Sequence, residues 1–403
     1  MKAVTPESRV VSVSGKDRGA VMMGGHKADL TLWWDGKSFV TYRDSKSALP
    51  VALGAVNARA QALIARPPAP RLPAQCNPWS RPVPVSGEAT VGTLQNRRAG
   101  DARAFRATPE FDALTADLAI AALNEMKLGR GAATDVLAIS LSATDYVGHT
   151  FGTSGAEMCR NLIQLDATLG RLFAALDRTR IPYAVVLTSD HGGHDLPERN
   201  TRHGLPSAER VDIALSAQAV GQALSARFRL KENALIGRAP FGDMYLSASI
   251  APEQRKEVLD AAVALYRGHR QVEAVFTWSD IMAAPLPSKP VDEWSLLDRV
   301  KMSFDPERSG DFYVILKQYV TPIPDAGFGY VATHGSVWGY DRRVPILFWW
   351  KGIAGYEQPN AVETVDVLPT LASLIGLTVP AEEIDGRCLD LLAGAANNCT
   401  AQQ

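Results

Sequence analysis

The stretch VVLTSDHGGH, residues 185–194, decides the fold of this chain. Its β-branched and apolar residues predict a buried central strand, and the two glycines near its end allow a sharp turn. Asp190 and His191 therefore stand side by side at the carboxyl end of a strand, where open α/β sheets bind their ligands. We predict that this pair binds a metal ion, with a simple cap on the strand end as the alternative.

A second acid–histidine pair follows another apolar strand, residues 135–141. Asp145 and His149 are four residues apart, so one helical turn places both on the same face, where they can share an ion. A third imidazole, His334, lies in the motif THGS before a late strand. Two carboxylates and three histidines form a ligand set suited to Zn²⁺.

The two strands are joined by an amphipathic segment. Apolar residues recur at helical spacing over residues 154–178, between the strand of residues 135–141 and the strand of residues 184–189. This order of strand, helix and strand predicts parallel neighbours joined by a right-handed crossover.

Two cations stand near the start of the chain. Residues 9–14 read as the first strand, and GKDRG, residues 15–19, reads as a glycine-bounded turn that carries Lys16 and Arg18. Two cations in such a turn suit an anion such as phosphate, because Arg offers a bidentate fork. The alternative is a solvated turn without a ligand.

The order of predicted strands and helices along the rest of the chain indicates one large α/β core with a smaller inserted domain. We assign residues 1–225 and 321–403 to the core, with a surface excursion at about 66–109, and residues 226–320 to an α+β insertion. Asp35-Gly36 predicts a hairpin within residues 30–42. Further helices are expected over residues 50–64, 109–127, 208–225, 251–268 and 366–375.

The composition and charge of the chain argue against some classes of function. Of 403 residues, 46% are hydrophobic and 21% are charged, and the formal net charge is −1. This is an ordinary globular composition without the basic excess of a nucleic-acid-binding protein. No apolar run is long enough for a membrane span, and we expect a monomer. Cys388 and Cys399 flank a short loop and suit a disulfide in an oxidising compartment, although four free thiols fit the spacing equally well.

These motifs together resemble the alkaline phosphatase superfamily, and within it the phosphate-irrepressible periplasmic alkaline phosphatases of the PafA type. The resemblance spans nearly the whole chain. The motifs that carry it are SGKDR at 14–18, TDYVGH at 144–149, TSDHG at 188–192, THGS at 333–336, YDRRVPI at 340–346 and DVLPTLA at 366–372.

The resemblance implies an α/β/α sandwich with a mostly parallel sheet that holds two zinc ions. Asp145, His149 and His334 would bind one zinc, and Asp190 and His191 would bind the other. Lys16 and Arg18 would hold phosphate oxygens during hydrolysis of small phosphorylated substrates in the periplasm or outside the cell. A nucleotide pyrophosphatase or phosphodiesterase of the same superfamily is the alternative activity.

The resemblance also implies a departure from the family pattern. The family places an aspartate ligand, a nucleophilic threonine and an asparagine ahead of the GKDR motif, and no nucleophile is visible in this sequence. A signal peptide is not visible either. We favour a truncated sequence with impaired activity and at least one zinc ion, over a non-catalytic zinc- or phosphate-binding pseudoenzyme or a fragment.

Overall fold

A computed structural model describes residues 1–45, 48–86, 89–392 and 397–399 of the chain as a mixed α/β protein. The strands are β1 Val10–Ser14, β2 Leu30–Trp34, β3 Phe39–Val40, β4 Val83–Ser86, β5 Ala89–Val91, β6 Val136–Ser140, β7 Ala184–Thr188, β8 Glu209–Arg210, β9 Leu235–Ile236, β10 Gly242–Leu246, β11 Val272–Thr277, β12 Phe312–Leu316, β13 Val320–Thr321 and β14 Ile346–Trp350. The α-helices are α1 Asp17–Gly24, α2 Ala52–Ala65, α3 Ala102–Arg106, α4 Pro109–Glu125, α5 Ala143–Phe151, α6 Ala156–Thr179, α7 Pro197–Arg202, α8 Ala217–Phe228, α9 Pro252–Arg267, α10 Trp278–Ala283, α11 Leu296–Lys301, α12 Gly339–Arg342 and α13 Val367–Leu374.

The first sheet has the order β3-β2-β1-β6. Its central strand β1 pairs in parallel with β2 and β6, and β3 completes the expected hairpin with β2. Val11 and Val13 of β1 are fully buried in one apolar cluster with Phe111 of α4. Ser14 faces α1 instead, where a Cβ on Gly19 would lie 2.7 Å from the Ser14 hydroxyl oxygen. Helices therefore cover both faces of the sheet, which gives three layers.

The segment GKDRG, residues 15–19, was predicted as a turn. This prediction is wrong for residues 17–19, which belong to a helix. Lys16 has extended backbone and is the N-cap of α1, which begins at Asp17. The hydroxyl of Ser14 accepts the Lys16 backbone N–H at 2.9 Å. An acid at the first helical position is favourable because the helix N-terminus carries partial positive charge. The helix start was not predicted because the glycine at position 19 is typical of a turn.

The prediction that the strands before and after α6 are parallel neighbours is also wrong. β6 is hydrogen-bonded to β1, whereas β7 pairs antiparallel with β14, from Thr188 opposite Ile346 to Ala184 opposite Trp350. Local sequence patterns predicted both strands and the connecting helix. They could not predict that β7 pairs with β14, because the paired residues lie more than 150 positions apart in the chain.

A second sheet, of order β11-β12-β10-β9, is antiparallel throughout. Tyr266 of α9 and Phe312 of β12 are among its fully buried side chains, and α8 and α9 pack against it. This sheet falls within residues 226–320, where we predicted an α+β insertion. The boundaries of that insertion stay a prediction.

The remaining described segments add short pairs. β4 and β5 form an antiparallel hairpin within the proline-rich residues 66–109, and β8 pairs in parallel with β13. Among the described helices, none has the length and apolar character needed to cross a membrane.

All four cysteines form disulfides. Cys76 is bonded to Cys159 on the first turn of α6, and Cys388 is bonded to Cys399. The second pairing was one of two open interpretations of the sequence, and the first pairing was not predicted. Spacing could not reveal it, because the two cysteines are 83 residues apart.

The two bonds are expected to differ in their effect on stability. In the chain-entropy estimate, a loop of 83 residues is worth about 4.5 kcal/mol and a loop of 11 residues about 2.7 kcal/mol. Urea unfolding of the Cys76→Ser/Cys159→Ser variant should therefore show a larger loss of unfolding free energy than that of Cys388→Ser/Cys399→Ser. Equal losses, or a larger loss for the second pair, would contradict this ranking.

Candidate metal and phosphate site

Three imidazoles converge on one carboxylate oxygen. Asp145 Oδ1 lies 3.3 Å from His149 Nε2, 3.6 Å from His191 Nε2 and 3.4 Å from His334 Nε2. The ligand atoms of Asp145, His191 and His334 all lie within 4.8 Å of one another. Zinc bonds of about 2.0–2.1 Å in tetrahedral geometry place ligand atoms roughly 3.3 Å apart. The donor set and its spacing therefore fit a metal ion.

The site is assembled at the ends of two strands. Asp145 and His149 lie on α5, which follows β6, and the helix presents them one turn apart as predicted. His191 follows β7 by three residues. His334 comes from the loop before α12, and its ring stacks on that of His191 with centroids 3.3 Å apart.

Two of the imidazoles are oriented by backbone carbonyls. His149 Nδ1 lies 2.9 Å from the Ala332 carbonyl oxygen, and His191 Nδ1 lies 2.8 Å from that of Gly192. With Nδ1–H donating in both rings, each Nε2 presents a lone pair toward Asp145. This is the arrangement that proteins use to fix histidine ligands of metals.

Asp190 lies at the edge of this group. Its Oδ2 is 3.6 Å from His191 Nε2, and its side chain is 79% exposed. His191 Nε2 is thus equally far from Asp190 and from Asp145. The group of ligand atoms close enough to share one ion is that of Asp145, His191 and His334, so it combines members of the two predicted sets. His149 lies 3.3 Å from Asp145 and Asp190 lies 3.6 Å from His191, at the border of this group.

Lys16 reaches the same carboxylate from the other side. Its Nζ donates to Asp145 Oδ2 at 2.5 Å, and it lies 5.1 Å from the centroid of the Tyr146 ring. Arg106, whose role the sequence did not reveal, stacks on Tyr146 with its guanidinium 4.5 Å from the same centroid. Arg18, by contrast, lies exposed on the first turn of α1.

The charges around Asp145 keep it ionised. Burial alone raises the pKa of this carboxyl, but hydrogen bonds from His334 and Lys16 and the nearby His149 hold it well below its usual range. For His149, burial is the largest effect and lowers the pKa of the imidazole, and the charges of His334 and Lys16 act in the same direction. Both shifts favour metal binding, because a metal ion competes with protons for its carboxylate and imidazole ligands.

A buried carboxylate holds the start of α5 in place. Asp112 on α4 is 2% exposed, and its Oδ1 accepts the backbone N–H of Ala143 at 2.9 Å. Ala143 is the first residue of α5, the helix that carries Asp145 and His149. Sequence analysis missed Asp112, because α4 carries several acids and nothing in the sequence shows which of them is buried against α5.

Asp112 predicts a specific dependence of stability on pH. Burial raises its pKa to about 7, although the backbone N–H groups of Ala143 and Ser142 and the charge of Lys16 oppose the shift. Between about pH 4 and pH 7 the unfolded chain loses this proton while the folded chain keeps it, so stability falls as the pH rises through this window.

The Asp112→Asn variant should lack this fall. Relative to the wild type, its unfolding free energy is expected to rise between pH 4.5 and pH 8, by about 3 kcal/mol. Urea unfolding at both pH values measures the difference, with Asp117→Asn on the same helix as control. A constant difference between variant and wild type across this range would contradict the assignment.

Comparisons with known proteins identify the family of the chain. The sequence profile of the type I phosphodiesterase / nucleotide pyrophosphatase family matches residues 4–336. Alkaline phosphatase PhoK of a Sphingomonas species is 48% identical over 408 aligned residues, which cover 100% of this chain and 72% of that protein. Alkaline phosphatase PhoD of Zymomonas mobilis is 44% identical and is covered to 70%.

The fold also has a counterpart among solved structures. The crystal structure of wild-type alkaline phosphatase PafA superposes with a TM-score of 0.82 at 24% identity, over 97% of this chain and 76% of that one. This likeness confirms the predicted fold class, an alkaline-phosphatase-like α/β/α arrangement. The chain thus belongs to the type I phosphodiesterase / nucleotide pyrophosphatase family of the alkaline phosphatase superfamily.

Proposed function

We propose that this chain is a zinc-dependent phosphomonoester hydrolase of the alkaline phosphatase type. The observation that carries the proposal is the convergence of Asp145, three imidazole Nε2 atoms and the Lys16 ammonium at one point. The names of PhoK and PhoD support the reaction class. Small phosphorylated molecules are the proposed substrates, and we propose a monomer.

Two zinc positions are proposed. Asp145, His149 and His334 would hold one ion, and Asp190 and His191 the second, whose Asp190 carboxylate is open to solvent. Zinc, when bound, supplies Lewis-acid polarisation of a phosphoryl oxygen. The backbone carbonyls of Ala332 and Gly192 orient the rings of His149 and His191 so that their Nε2 atoms face the site.

Lys16 is proposed to bind the phosphate group of the substrate. In the absence of an anion its ammonium is neutralised by Asp145 Oδ2. An ammonium at this position would stabilise the negative charge on the non-bridging oxygens of a phosphate bound beside it. Arg18, two residues away on α1, is proposed to contribute a second cation by turning its exposed side chain toward the phosphate.

An oxidising location is proposed for the chain. Both cysteine pairs are disulfide-bonded, and such bonds persist in the periplasm and outside the cell. We therefore propose that the chain is periplasmic or secreted.

The metal assignment predicts the stoichiometry of zinc binding. Isothermal titration of the metal-free protein should give two bound zinc ions for the wild type and one for Asp190→Asn. Asp145→Asn should bind zinc at least tenfold more weakly at the site formed with His149 and His334. Asp260→Asn, which removes an exposed acid on α9, serves as control. Two tightly bound ions in Asp145→Asn would exclude Asp145 as a ligand.

The substrate assignment predicts a selective effect of Lys16. A dianionic monoester carries more charge on its non-bridging oxygens than a diester, so Lys16→Ala should lower kcat/KM for p-nitrophenyl phosphate at least tenfold more than for bis-p-nitrophenyl phosphate. Lys37→Ala, an exposed cation in the β2–β3 turn, is the control. A faster wild-type reaction with the diester would favour the alternative, a nucleotide pyrophosphatase or phosphodiesterase.

The same assay measures the overall level of activity. We propose low turnover for the chain as given, because none of the residues assigned to the site is a nucleophile. Turnover near that of PhoK, measured side by side, would refute this part of the proposal. Zinc binding with no hydrolysis of either ester would instead indicate a zinc-binding pseudoenzyme.

A further inference from the structure

The short helix α3 carries two arginines on one face. Arg103 and Arg106 are three residues apart, so their side chains leave the helix in similar directions. Between them Phe105 is fully buried in the apolar cluster of the first sheet. The carboxylate of Asp101, the N-cap residue, accepts a backbone N–H of the first turn at 2.8 Å. Both guanidinium groups therefore extend from a helix that is anchored to the core.

Each guanidinium group lies on a tyrosine ring. Arg106 Cζ is 4.5 Å from the centroid of the Tyr146 ring, and its Nη1 donates to the Tyr146 hydroxyl at 3.2 Å. Arg103 Cζ is 5.1 Å from the centroid of the Tyr330 ring. The loop beside Tyr330 comes close to this arginine, since a Cβ on Gly329, whose φ is +92°, would lie 3.1 Å from Arg103 Nη2. These contacts hold both cations in defined positions.

Both tyrosines border the proposed metal and phosphate site. Tyr146 lies on α5, and the centroid of its ring is 5.1 Å from Lys16 Nζ. The centroid of the Tyr330 ring is 4.8 Å from that of the His149 ring. Lys16 Nζ and Arg106 Cζ each lie within about 5 Å of the same centroid, so these two cations are at most about 10 Å apart. Helix α3 thus adds two positive charges at the side of the site.

Neither of these arginines is neutralised by an acid. Among the residues that the structure describes, no carboxylate lies within ion-pair distance, 4.0 Å, of Arg103 or Arg106. By contrast, Arg160 on α6 pairs with Glu110 at 2.5 Å. Guanidinium groups without counter-ions raise the local positive potential, and their fork geometry matches carboxylate and phosphate groups. The two arginines are therefore suited to bind an anion.

We infer that Arg103 and Arg106 form a second anion subsite, which binds a carboxylate or a further phosphate on the alcohol part of the ester. The preferred substrates are then phosphomonoesters that carry an additional negative charge, rather than esters of neutral alcohols. The inference rests on the proposed function, because that function places the reacting phosphate beside Lys16. Arginines that only stack on tyrosines would give no such preference.

The test compares two phosphonates of similar size, whose P–C bond resists hydrolysis. 4-Carboxyphenylphosphonate carries a carboxylate at the far end of its ring, and 4-carbamoylphenylphosphonate carries a neutral amide there. Isothermal titration of the full chain in the presence of zinc and at low ionic strength should give about fivefold tighter binding of the carboxylate ligand. This preference should shrink when salt is added, because exposed charges are screened.

Arginine variants locate the second charge. In Arg103→Gln and Arg106→Gln the ratio of the two dissociation constants should move toward one, and in the double variant it should reach one. Arg106→Lys keeps the positive charge and should retain part of the preference. Arg238→Gln removes an exposed arginine between β9 and β10 and should retain all of it.

The outcomes distinguish the subsite from the phosphate site. Equal binding of both phosphonates by the wild type would overturn the inference and leave the proposed function intact. The inference would also fail if the double variant kept the preference and bound both ligands more weakly, because the arginines would then only support the two tyrosines. Binding of neither ligand would contradict the phosphate site, and with it the subsite.

Discussion

The Asp145 carboxylate is the interaction on which the rest of the site depends. One oxygen faces three imidazoles and the other accepts the Lys16 ammonium. Such concentrated charge is costly to desolvate unless every lone pair has a partner. The surrounding structure supplies those partners from α1, α5, the end of β7 and the loop before α12. Four segments that are distant in the chain thus meet at a single carboxylate.

Much of this arrangement could be predicted from local patterns. The apolar strand before TDYVGH, the helical spacing of Asp145 and His149, and the hairpin at Asp35-Gly36 are all present in the structure. Each of them is encoded within about fifteen residues, because strand and helix periodicity and turn chemistry are local properties. His191 was predicted from its place at a strand end and His334 as a third imidazole, and the family motifs then assigned them to two different zinc sites.

The features that were missed depend on distant parts of the chain. The antiparallel pairing of β7 with β14, the Cys76–Cys159 bond and the contact of Asp112 with α5 each join segments at least 31 residues apart. A hydrogen bond from Ala143 to Asp112 is decided by how α4 packs, and no periodicity in either segment specifies it. The start of α1 at Asp17 was missed for a different reason, since the flanking glycines are also typical of turns.

The Cys76–Cys159 bond has a consequence for the integrity of the molecule after proteolysis. It closes a covalent ring that contains α4, β6 and α5, and therefore Asp112, Asp145 and His149. A protease that cuts an exposed loop inside this ring, such as residues 130–134 between α4 and β6, leaves both fragments attached to each other. The ring thus allows a nicked chain to keep its ligands together, a tolerance that a reduced chain would not have.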